Sequence, residues 1–142
     1  MSQFKRSLSK NNLEKLIEKL LLALDFKNKL LGFNYLRDAI AECCVDDKKR
    51  YMSTDVYMIV AKKYKTTNVR VERAIRNAII NCHDKGNLFK LNDIFNNSIV
   101  SEKYVPTSAE LISAVSFRLY HVIHAGSLSA LYDMFDKFGF KR

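Results

Sequence analysis

Residues 66–82, TTNVRVERAIRNAIINC, carry two patterns at once. Advancing about 100° per residue along a helix, Val71, Ala74, Ile75, Ala78, Ile79 and Cys82 fall within about 70° of one direction and form a stripe fit for burial. The opposite arc holds Val69, Arg70, Arg73, Arg76, Asn77 and Ile80. Arginine forks onto guanine O6 and N7, and asparagine pairs bidentately with adenine, so the N-terminal half of this arc presents the side chains that read base edges. Glu72 lies at the flank, placed to pair with Arg76 at i+4 or to accept from a cytosine amino group. A solvated surface helix with one internal ion pair has the same composition, so this helix alone leaves both readings open.

The neighbouring segments add context. Upstream, Ser53 is expected to cap a helix running to about Tyr64, and only Lys65, Thr66 and Thr67 separate it from a longer helix, Asn68 to about Asp84, closed by Gly86. A short helix, a three-residue turn and a longer helix have the dimensions of a helix-turn-helix at about 53–84, whose second helix enters the DNA major groove. Nearer the N-terminus, Leu13, Leu16, Ile17, Leu20, Leu21 and Leu24 mark an amphipathic helix capped by Asn11 or Asn12. Gly32 is read as a break before a helix from about Phe33 to Val45. Downstream come a short helix near Leu91 to Asn97 and a loop, NSIVSEKYV, whose β-branched residues suggest a stub of strand. The capping box Thr107 to Glu110 then opens a strong helix, and a last helix begins at Gly126 and Ser127. The expected fold is all-α, a six- to seven-helix bundle containing a helix-turn-helix. It divides into a basic tail at 1–10, a helical DNA-binding domain at 11–125 and a C-terminal helical extension at 126–142.

The chain has 142 residues with four Gly and one Pro, enough for one core and short of the turn residues a β-sandwich needs. No apolar run reaches the roughly 18 residues of a membrane span, and no secretion signal is visible, so a soluble, cytoplasmic protein without membrane contact is expected. Cys43, Cys44 and Cys82 make neither a disulfide framework nor a CxxC pair. His121 and His124 stand at i, i+3, but no cysteine or acidic pair completes a metal site, and no phosphate-loop, dinucleotide, zinc-protease or nucleophile-elbow pattern occurs. No enzyme, cofactor or metal is therefore expected. The net charge of +9 favours polyanionic partners. Between Lys48 and Asn77 stand nine basic residues (Lys48, Lys49, Arg50, Lys62, Lys63, Lys65, Arg70, Arg73 and Arg76) against Asp55 and Glu72 alone. Phosphate contacts are expected from Lys62, Lys63, Lys65, Thr66, Thr67 and the Lys48 to Arg50 run.

The stretch TTNVRVERAIRNAI, Thr66 to Ile79, resembles the recognition helix of the C-terminal effector domain of stage zero sporulation protein A, the response regulator of endospore formation in Firmicutes. GFNYLRDAI (Gly32 to Ile40), VAKKY (Val60 to Tyr64), Gly86-Asn87 and PTSAELISAV (Pro106 to Val115) resemble later and earlier landmarks of that domain in order, over roughly Leu13 to Tyr120. The resemblance implies a six-helix bundle with a helix-turn-helix. It implies base contacts at Arg70, Glu72 and Arg73 and neighbouring backbone or edge contacts at Arg76 and Asn77, where several members carry histidine. It also implies an operator box like TGTCGAA, read in tandem copies by a homodimer arranged head to tail.

Two departures stand out. No receiver-like α/β segment precedes the domain, so DNA binding by a 142-residue product is expected to be constitutive and not phosphorylation-controlled. The tail from His121 to Arg142 extends beyond the family domain, and its apolar stripe either covers the core or forms an interface. The expected function is a sequence-specific regulator binding double-stranded DNA. Its rivals are a module that modulates a full-length regulator by a protein contact through 127–138, and a nonspecific DNA binder.

Overall fold

The computed structural model describes residues 9–44 and 52–126, with Ser129 and Asp133 beyond them. The first helix, α1 (Lys10–Ala23), starts at Ser9, whose hydroxyl accepts the Asn12 N–H at 3.1 Å. Serine thus takes the capping place expected of Asn11 or Asn12, and Leu13, Leu16, Ile17, Leu20 and Leu21 are buried as their spacing requires.

Helix α2 (Leu31–Cys44) is the hub, packing on α1 and on the three helices α3, α4 and α6 defined below. It is buried nearly all round, which is what an apolar helix at the centre of a bundle requires. Gly32 does not break the pattern as expected but lies inside α2 and is buried. A Cβ there would stand against the Ala74 carbonyl oxygen and 3.0 Å from Ala78 Cβ. The glycine therefore serves close helix approach rather than a turn.

A π-helical turn, Met52–Val56, leads into α3 (Tyr57–Lys63). Ser53 falls within that turn instead of capping α3, which begins after Val56 with no side-chain cap. After α4 (Asn68–Asp84) and the short α5 (Lys90–Ile94), α6 (Ser108–His124) opens on a complete capping box. Thr107 Oγ1 accepts the Glu110 N–H at 3.1 Å, and Glu110 Oε1 accepts the Thr107 N–H at 2.9 Å.

Among the described residues there is no strand, so the expected stub in 97–105 does not form. The reason is Asn92: its Oδ1 accepts the N–H groups of Ile99 and Val100 at 2.7 and 2.8 Å, and its Nδ2 donates to the Val100 carbonyl at 2.9 Å. One amide satisfies the backbone groups that a partner strand would otherwise have paired. The Lys48–Arg50 run and nearly all of the C-terminal extension, including the segment 127–138 apart from Ser129 and Asp133, lie outside the described residues. Among the described residues no helix is long and apolar enough to cross a membrane.

Candidate nucleic-acid interface

The turn between α3 and α4 is built by the end of α3. Thr66 N–H donates to the Ala61 carbonyl at 2.9 Å and Lys65 N–H to the Lys62 carbonyl at 3.3 Å, the paired bonds of a Schellman ending. Such an ending needs a left-handed residue, and Lys65 supplies it with φ of 56°. Thr67 then caps α4, its hydroxyl accepting the Arg70 N–H at 3.2 Å. Two helices joined this tightly have the arrangement that a helix-turn-helix requires.

Helix α4 presents the two faces read from its periodicity. Val71, Ile75, Ala78, Ile79 and Cys82 are buried, with half-buried Ala74 against Gly32 of α2. Small Ala74 and Ala78 thus admit α2 at close approach. Arg70, Arg73, Arg76 and Asn77 are exposed together with Val69. Among the described residues no acidic group pairs with Arg70 or Arg73. Arg76 Nη1 lies 3.6 Å from Glu72 Oε1, the i+4 pair expected, while Glu72 Oε2 accepts the Ser108 hydroxyl at 3.0 Å. Glu72 therefore also ties α4 to the start of α6, a contact between residues far apart in sequence that periodicity does not reveal.

The basic residues before α4 divide into two kinds. Lys62, Lys63 and Lys65 are all exposed, and they differ in whether they have a partner among the described residues. Lys63, by contrast, donates its ammonium to Asp38 Oδ2 at 2.9 Å. Asp38 is buried on α2 and also receives Arg37 Nε at 2.9 Å and the Tyr64 hydroxyl at 2.6 Å. Arg37 continues the network to Glu18 of α1 at 2.7 Å. Burial pushes the Asp38 carboxyl up, but the hydrogen bonds from Arg37, Tyr64 and Lys63 outweigh it and hold the group below the usual carboxylate range. Burial and the Asp38 carboxylate together push the Tyr64 hydroxyl up to about 12. This clasp fastens the end of α3 to α1 and α2 and so fixes where the turn and α4 begin. Sequence reading had the charges but not their partners.

The remaining reactive groups belong to the core or to aromatic packing. Burial raises the Cys44 and Cys82 thiols to about 12, and their sulfurs donate to the carbonyls of Ser116 and Leu24. His121 stacks edge-on against Phe117, and His124 lies against Tyr120. Among the described residues no group of three or more His, Cys, Asp or Glu side chains stands close enough to hold a metal.

The family described as Sporulation initiation factor Spo0A C terminal matches residues 17–119, from the middle of α1 to the last turns of α6. The chain belongs to that family. Spo0A C-terminal domains are DNA-binding effector domains, so this one is a DNA-binding regulatory domain of the sporulation family, and its partner class is double-stranded DNA. The match spans α3, the turn and α4 together with the clasp on α1 and α2 that holds them. In this Spo0A C-terminal domain, the exposed arginine face of α4 is the surface whose chemistry suits that partner.

Proposed function

We propose that this chain is a sequence-specific transcriptional regulator that lays α4 in the DNA major groove. Arg70, Arg73 and Asn77 read base edges, with Glu72 at their flank. The observation that carries the reading is the state of Arg70 and Arg73. They are exposed on the first two turns of a helix whose other side is buried, without an acidic partner among the described residues. The first turns of the second helix are where a helix-turn-helix meets the bases. The Glu72–Arg76 pair is long and only partly buried, a geometry worth at most about 1 kcal/mol, so Arg76 is released to DNA cheaply while Glu72 stays held by Ser108.

Arg76, Lys62, Lys65, Thr66, Thr67 and the Lys48, Lys49 and Arg50 connector serve phosphates in this reading. Lys63 contributes chiefly by holding the turn through Asp38. Family membership favours tandem boxes like TGTCGAA bound by two copies, acting at the bacterial nucleoid. Phosphate contacts then supply most of the affinity and the arginines the discrimination. The test is an anisotropy titration against a TGTCGAA duplex and a scrambled one at two salt concentrations, followed by operator selection from random DNA if the box is not preferred. Specific binding is expected to favour one sequence by roughly 10³-fold or more. Equal affinity for all duplexes, with a steep salt dependence and no enriched sequence, would reduce the chain to a nonspecific binder.

A further inference from the structure

Val69 is 62% exposed on the first turn of α4. The buried stripe of that helix is complete without it, and a β-branched residue loses rotamer freedom in a helix, so neither packing nor propensity asks for valine there. Looking down the helix axis, Val69 lies within about 40° of Arg73 and about 20° of Arg76. It thus stands at the edge of the proposed base-reading arc, between Arg73 and the phosphate-directed Arg76, on the first turn of the helix that enters the groove. Among major-groove base edges, only thymine offers an apolar group, its C5-methyl.

We infer that Val69 is a specificity-determining residue whose isopropyl group packs on a thymine C5-methyl beside the base held by Arg73. Its preference for thymine over cytosine follows from the methyl it covers and from the absence of any polar atom to pair with the cytosine amino group. Ile80 lies on the same line and is 37% exposed, but it stands about 16 Å further along the axis, too far to share that base. The inference rests on the groove-binding reading above and adds a base identity to it.

The test separates the two. An operator is selected from random duplex DNA with the full chain. The Kd values of wild type and Val69→Ala are then measured on it and on duplexes in which each thymine in turn is replaced by uracil, which lacks only the methyl. At one thymine, uracil should raise the wild-type Kd about fourfold, the equivalent of about 0.8 kcal/mol for one buried methyl-sized group, and leave that of Val69→Ala unchanged. Each protein is compared with itself on two duplexes, so a general effect of the substitution cancels. Uracil that is neutral at every position, or equally costly for both proteins, overturns the role of Val69 and leaves groove binding standing. Failure of any sequence to enrich overturns both.

Discussion

At Asp38 a single buried carboxylate receives Arg37 Nε, Lys63 Nζ and the Tyr64 hydroxyl at 2.9, 2.9 and 2.6 Å. Removing it leaves Arg37, only 15% exposed, with Glu18 as its remaining counter-charge and takes the acceptor from Lys63 and the Tyr64 hydroxyl, so Asp38→Ala should cost about 1–3 kcal/mol in urea denaturation. A loss under about 1 kcal/mol would show the clasp to be ornamental. The sign of the pH effect follows from the lowered folded value. The contribution is fully present above the unfolded carboxyl value near 4, and is lost as pH falls from there through the folded value. Wild type should therefore lose stability below about pH 4 more steeply than Asp38→Ala does, which a series of denaturation curves checks. At this scale the sequence was only half legible. The arginine face of α4 follows from a period of about 3.6, because exposure on one helix depends on local spacing alone. The diversion of Lys63 to Asp38 and the Ser108–Glu72 bond depend on how distant segments dock, and no local pattern encodes that.

Helix ends show the same division. Gly86 and Gly126, with φ of 77° and 72°, end helices where glycine predicts an ending. Asp25, Lys65 and Asn96 take the same left-handed position with φ of 64°, 56° and 51°, and residue type alone does not announce them. Conversely, a glycine needed for close approach, as at Gly32, looks in sequence like one needed for a turn. Gly32→Ala should force α2 and α4 apart at Ala74 and lower stability by about 1–3 kcal/mol by thermal or chemical unfolding. An unchanged midpoint would mean the helices yield freely. Lys65→Gly should keep or raise stability by up to about 1 kcal/mol, since the left-handed strain is relieved. The same variant should weaken binding to all duplexes alike and reduce the salt slope of log Kd by about one, as expected for one lost phosphate contact. A slope equal to that of wild type would take Lys65 off the DNA.

Across the whole molecule, the bundle is organised around α2, which holds α1, α3, α4 and α6 in one packing unit and leaves one face of α4 outside it. Acidic and basic residues are near balance elsewhere, whereas the helix-turn-helix and the connector before it concentrate the positive charge. In the proposed reading, affinity and discrimination fall to different residues, lysines for the phosphates and α4 arginines for the bases. The fold class was legible because four amphipathic helices announce themselves by spacing. The partner was legible only once the family's residues were matched, because a basic helix has many uses. The account stands most directly on one comparison, the Kd of wild type, Arg70→Ala and Arg73→Ala on a selected operator and on a scrambled duplex at about 150 mM salt. It predicts that each substitution costs about 1–3 kcal/mol on the operator and far less on the scrambled duplex. Equal losses on the two duplexes would contradict it.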